Sequence, residues 1–230
     1  MIGESRNEAS SLSPKRISTG VPGLDHILHG GLLPGRVYLI HGEPGTGKTT
    51  MGLHFVSSGE GSLLITFAQS GDHLRSDAAS LGLNLDNVHI LDLTPSPEIF
   101  VEMQTYDIFS PTEVEREPIS RRISAAIETA RPPRIYVDSF GQFRNLAPDL
   151  FQYRRLAQSF FRFATQHGAT LMIGSHDRSC ARDVDGVIGL DFSGEGRSVR
   201  VTKLRGSNFL AGDHPMLFTS GGLEVPLNAA

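Results

Sequence analysis

The stretch Gly42-Glu43-Pro44-Gly45-Thr46-Gly47-Lys48-Thr49 satisfies the pattern G-x-x-x-x-G-K-[ST] at every position. Residue types in that order suit one chemistry, the holding of a polyphosphate. Glycines let successive backbone N–H groups approach phosphate oxygens with no Cβ in the way. A helix starting at the end of the loop adds its positive terminus at the same point. Lys48 is then placed to reach β- and γ-phosphates, and the Thr49 hydroxyl to complete the shell of a bound Mg²⁺. The residues expected to line a nucleotide are Glu43, Pro44, Gly45, Thr46, Gly47, Lys48, Thr49 and Thr50, with ATP and Mg²⁺ as the ligands. A Gly-rich turn that held nothing would leave Lys48 opposing the dipole of the helix it opens.

A second group belongs with the first. Arg134-Ile135-Tyr136-Val137-Asp138 reads as a short apolar strand ending in a carboxylate. Beside a phosphate loop, such an aspartate holds Mg²⁺ through its waters. Alone the pattern is weak, because many parallel strands end in an aspartate that caps a helix or turn. With the complete loop upstream, it points to a metal role for Asp138.

These groups need a scaffold, and the hydrophobic pattern supplies one. Strands are predicted at Val37–His41, 62–67, Val88–Asp92, Arg134–Asp138 and 169–174, and helices near 48–58, 72–81, 119–130 and 150–166. In the last helix Leu150, Tyr153, Ala157, Phe160, Phe161 and Ala164 recur at helical spacing, a face for packing on a sheet. Alternating strands and helices imply βαβ units: an α/β fold with a mostly parallel central sheet and helices on both faces. Beyond about residue 185 only strands are predicted, at 186–192, 198–204 and 216–219, an antiparallel extension of one sheet edge. Residues 1–14 are polar and Ser-rich and are expected to form a disordered tail ahead of a single domain over 15–230. The Pro- and Glu-rich segment 95–118 is expected to be a long mobile loop.

Bulk properties narrow the partners. A formal net charge of −4 gives no basic field for nucleic acid or acidic lipid. One cysteine, Cys180, rules out an internal disulfide framework and suits a reducing compartment. The nine histidines show no paired metal spacing. No apolar run approaches the roughly eighteen residues that span a bilayer, and the first residues lack an apolar signal region. A soluble cytoplasmic protein is expected.

Longer blocks then carry a resemblance. R-I-S-T-G-V-P-G-L-D-H-I-L-H-G-G-L-L-P-G (16–35), H-G-E-P-G-T-G-K-T-T (41–50), I-Y-V-D-S-F (135–140), L-M-I-G-S-H (171–176), D-G-V-I-G-L (185–190), K-L-R-G-S (203–207) and H-P-M-L-F-T-S-G-G-L (214–223) occur in order. Through them the chain resembles the KaiC-type ATPases, clock and signalling members of the RecA-like NTPases, over nearly its whole length after residue 15. The resemblance implies a RecA-like domain assembling into a homo-oligomeric ring, commonly a hexamer, with ATP between neighbours and protein partners that the sequence does not identify. It also implies that Lys203 and Arg205 act in trans on the γ-phosphate bound next door. Residues spaced i, i+2 on a strand share a side, although spacing alone reads them as exposed charges on an edge strand. Double-domain members of the family keep time by phosphorylation in their second domain; with one such domain, this chain is not expected to be a complete oscillator.

One departure bears on catalysis. After the second strand the family typically carries two glutamates in a pattern like T-F-E-E, one of which orients or deprotonates the attacking water. Here the residues are Thr66-Phe67-Ala68-Gln69-Ser70. Ala68 can do no acid–base work, and Gln69 can orient a water but cannot take its proton. A glutamine does position water in some GTPases, so Gln69 is a weak substitute. Glu43, Asp72 and Asp177 read more simply as surface charges or caps than as replacement bases. Ser175 and His176 stand equally well as γ-phosphate sensors or as a strand end. Ser179 lies roughly where double-domain relatives are phosphorylated, but D-R-S-C-A-R matches those segments poorly. Arg121 and Arg122 read as a solvated helix face. Three functions follow: an ATP-binding regulatory protein with slow or lost hydrolysis, an active ring-forming ATPase of the same fold, and, least favoured by the charge, a recombinase-like DNA-binding ATPase.

Overall fold

The computed structural model describes residues 15–95, 111–194 and 196–227. The expected tail over 1–14 lies outside the described residues. Strands β1 (Val37–His41), β2 (Ser62–Thr66), β3 (Val88–Asp92), β4 (Arg134–Asp138), β5 (Thr170–Ser175), β6 (Gly186–Ser193), β7 (Gly196–Leu204), β8 (His214–Thr219) and β9 (Gly222–Glu224) form one sheet in the order β3-β2-β4-β5-β1-β6-β7-β8-β9. The pairings from β3 across to β6 are parallel. Those from β6 through β9 are antiparallel, so the C-terminal strands extend one edge.

Alternation sorts each parallel strand's side chains onto two faces, both of which must be covered. Tyr38, Ile40, Leu64, Tyr136, Met172 and Ile188 point into a core shared with helices α1 (Pro22–Ile27), α2 (Lys48–Ser57) and α3 (Gly71–Ser80). Val37, Leu39, Leu63, Ile65, Ile135, Val137 and Ile173 point the other way, against helices α4 (Pro111–Ala130) and α5 (Leu150–Gln166) and the 3₁₀ turn Phe140–Leu146. The apolar stripe of α5 delivers Tyr153, Ala157, Phe160, Phe161 and Ala164 to that second core, with Phe140 and Phe143 packed among the rings. Leu150, read as part of the stripe, is instead exposed at the helix start.

One expectation is corrected. The segment 95–118 is not loop throughout: α4 begins at Pro111, well before the expected start near 119, and residues 96–110 lie outside the described residues. Pro118 misleads as a breaker, yet Pro111 suits a first helical position and the acidic residues after it favour a helix's positive end. Among the described residues no helix is long and apolar enough to cross a membrane.

Candidate functional site

The loop 42–49 leaves the C-terminal end of β1, the end at which open α/β sheets bind ligands, and runs directly into α2. Gly47 immediately precedes the helix at φ +108°, and a Cβ there would come within 2.9 Å of the Phe218 ring, so only glycine fits without strain. Thr46 is buried and closes the turn, its hydroxyl donating to the Glu43 carbonyl at 2.8 Å and its amide to the same oxygen at 3.2 Å. Glu43, Pro44 and Gly45 are exposed at the tip. The Lys48 ammonium folds back into the loop and donates to the carbonyls of Gly42 at 2.7 Å and Glu43 at 2.9 Å. Partial burial lowers its pKa, opposed by the charges of Asp138 and Glu43. Thr50, next along α2, is half-buried.

At the start of the same helix, the Thr49 hydroxyl donates to Asp138 Oδ2 at 2.6 Å. Asp138 ends β4 and is only 7% exposed. Burial raises its pKa; the bond from Thr49 and the nearby Lys48 charge oppose that shift. Two hard oxygens side by side, one a buried carboxylate, fit a Mg²⁺ ion. The described residues contain no group of three or more His, Cys, Asp or Glu able to cage a metal. A cation here would draw its other ligands from phosphate and water, as Mg²⁺ commonly does.

The corner after β2 is arranged differently. The Thr66 hydroxyl donates to the Gln69 carbonyl at 2.7 Å, Ser70 caps α3, and Gly71 donates to Asp92 Oδ2 at 2.8 Å. This fixes the backbone of the turn. The Gln69 side chain donates to Asp77 Oδ2 at 3.3 Å on the exposed side of α3, and Ala68 is exposed. Asp72 is exposed on the first turn of α3. Ser175 is buried at the end of β5 and its oxygen accepts from the Asp177 amide at 3.3 Å, while His176 and Asp177 are exposed. The Ser179 amide donates to Asp177 Oδ1 at 2.8 Å. Arg122 is exposed yet anchored, donating to the Asp92 carbonyl at 2.8 Å.

Lys203 and Arg205 stand at the far end of the sheet from this chain's own loop. Lys203 pairs with Val187, near the start of β6, and Arg205 follows the end of β7. Lys203 Nζ donates to the carbonyls of Ala181 at 2.9 Å and Arg182 at 3.2 Å, and Arg205 Nη2 to that of Arg182 at 3.2 Å.

Three features escaped the sequence. The Arg197 guanidinium donates twice to the Gly45 carbonyl, at 3.1 Å each, and lies 4.5 Å from the Phe218 ring centre and 5.2 Å from that of Phe192. An arginine and two aromatics of the antiparallel extension thus close over the loop tip. His54 on α2 is buried and its Nε2 accepts the Leu223 amide at 2.9 Å, which ties the helix to β9. His41, at the end of β1, has a buried Nε2 with no hydrogen-bond partner among the described residues. The GG after Thr219-Ser220 was the only local hint of a turn that brings β9 back to α2.

With this geometry in view, comparison with known proteins gives a consistent picture. A family model described as "ATPase: KaiC" matches residues 17–229. The chain is 28% identical over 255 residues to the circadian clock oscillator protein KaiC of Prochlorococcus marinus, covering 100% of this chain and 50% of the relative. It is 30% identical over 240 residues to the circadian clock protein KaiC2 of Synechocystis sp., covering 95% and 41%. A UPF0273 protein of Methanopyrus kandleri is 27% identical over 238 residues, covering 93% of each chain. The chain therefore spans half or less of the two clock proteins and nearly all of the third.

Proposed function

The chain belongs to the KaiC family of ATPases, and from that premise we propose that it binds ATP with Mg²⁺ on the loop 42–49 and acts as a nucleotide-dependent regulatory protein with slow or absent hydrolysis. The observation that carries the binding reading is that Lys48 and Thr49, at the helix start, stand beside the carboxylate of Asp138 at a strand end, Thr49 bonded to it and Lys48 within reach of its charge. Lys48 would exchange two neutral carbonyls for phosphate oxygens, a stronger charge-assisted bond. Thr49 and Asp138 would hold the metal, the carboxylate through water. In the same reading Glu43, Pro44, Gly45, Thr46, Gly47 and Thr50 line the bound phosphates.

The weak-hydrolysis reading rests on Ala68 and on Gln69, whose amide is bonded to Asp77. Lys203 and Arg205 lie too far round the sheet to serve this chain's own nucleotide. Their placement supports a ring in which they stabilise phosphoryl charge in a neighbouring subunit. A buried lone thiol, Cys180, suits a reducing, cytoplasmic setting.

The test is steady-state ATP turnover at several protein concentrations with Mg²⁺, with nucleotide occupancy measured in parallel. Bound ATP with negligible turnover is expected. Brisk turnover that rises with concentration and vanishes in Arg205→Ala would establish an active ring instead. Absence of bound nucleotide would overturn the proposal.

A further inference from the structure

Tyr136 lies in the middle of β4, fully buried, two residues before Asp138. Residues i and i+2 of a strand face the same side, so both point toward α2. Asp138 receives the Thr49 hydroxyl, and the Tyr136 hydroxyl donates to the Lys48 carbonyl at 3.0 Å. One strand therefore grips the first two residues of α2 with two side chains of the same face.

Two glycines make room for this tyrosine. A Cβ on Gly52, in α2, would fall 2.0 Å from Tyr136 Cε1 and 2.2 Å from Cζ, inside the ring. A Cβ on Gly174, in β5, would fall 2.6 Å from the Tyr136 hydroxyl oxygen but 3.3 Å from Cζ. The first notch accommodates the ring and the second accommodates the oxygen. Apolar filling would need only the ring, so the notch at Gly174 marks the hydroxyl as the group being placed.

We infer that Tyr136 is a positioning residue for the nucleotide site, its hydroxyl fixing the first turn of α2 over β4 so that Lys48 and Thr49 meet phosphate and metal in register. This rests on the nucleotide reading of the loop.

The experiment measures binding of a fluorescent ATP analogue to the full chain as Mg²⁺ is titrated, alongside the urea midpoint without nucleotide. Tyr136→Phe should raise the Mg²⁺ needed for half-maximal binding by about three- to tenfold, the size of one ordinary hydrogen bond. The comparison is Tyr38→Phe, which removes a second buried hydroxyl bonded to the backbone of Leu33. That variant should lower the urea midpoint without moving the Mg²⁺ requirement. Gly174→Ala should displace the phenol oxygen and raise the Mg²⁺ requirement as well, but should add no further rise to that of Tyr136→Phe, where the oxygen is already gone. An unchanged Mg²⁺ requirement in Tyr136→Phe, or an equal rise in Tyr38→Phe, would overturn the inference while leaving the binding site intact. Failure of the unmodified chain to bind the analogue would overturn the nucleotide reading and the inference with it.

Discussion

Two neighbouring corners of the sheet, the ends of β4 and β2, contrast in what they do with their side chains. The strands pair in register, Thr66 opposite Asp138, and the Phe67 amide donates to the Asp138 carbonyl at 2.7 Å. At the β4 end the carboxylate turns inward and bonds to Thr49 at the start of α2. At the β2 end the backbone is equally well fixed, yet the Gln69 side chain turns outward to Asp77. In the proposed reading nucleotide binding would draw on β1, α2 and β4, whereas activation of water would draw on the turn between β2 and α3. A shared sheet keeps both backbones in place, but each turn sets its own side chains. On that reading, substitutions at the two corners should alter binding and hydrolysis separately.

The sharpest way to break the contrast is to rebuild the second corner. Ala68→Glu together with Gln69→Glu is expected to raise ATP turnover by about a hundredfold or more, the usual worth of a placed general base. Phosphate release under saturating Mg·ATP measures it; no gain would mean that the function resides elsewhere or that the subunits do not assemble. The converse is to disable the first corner. Lys48→Ala should weaken ATP binding by about a hundredfold through loss of charge-assisted bonds, while the circular-dichroism melt of the free protein stays close to the original. Calorimetric titration that found unchanged affinity would remove the loop from the site.

Asp138→Asn should act more narrowly, raising the Mg²⁺ requirement by about tenfold, as disturbed metal surroundings do, with little effect on binding in EDTA. The smallest effect is expected at the far end of α2. Burial holds the pKa of His54 below its ordinary value, and its neutral Nε2 is needed to accept the Leu223 amide. The unfolded chain takes up this proton near about pH 6.5. The stabilisation is thus complete above that pH and is lost as pH falls toward the lower folded value. The urea midpoint should drop between about pH 7.5 and about pH 5.5 more in the unmodified chain than in His54→Gln. Equal drops would show that the link to β9 does not titrate.

Much of the scaffold was legible because its signals are local. The apolar runs Val37–His41 and Arg134–Asp138 coincide with β1 and β4, since parallel strands buried on both faces read as unbroken hydrophobic stretches, and the shorter apolar signal of Val88–Asp92 coincides with the half-buried edge strand β3. The 150–166 pattern coincides with α5 because one face meets the sheet. The short helix α1, the 3₁₀ turn after β4 and the three-residue β9 carry too few residues to show a period. Local chemistry also misled: Pro118 and a dense run of charge concealed the first part of α4.

The sequence by itself determined the loop at 42–49, its strand before and helix after, and the carboxylate at Asp138. A phosphate cradle is built from consecutive backbone amides, so its specification is contiguous. Only the tertiary structure decided that Arg197 would bond to Gly45, that His54 would accept from Leu223, that Tyr136 would occupy notches at Gly52 and Gly174, and that Gln69 would turn away to Asp77. Most of these contacts join residues brought together by strand order alone. That order is set by which faces can be buried together, and no local spacing in the chain records it.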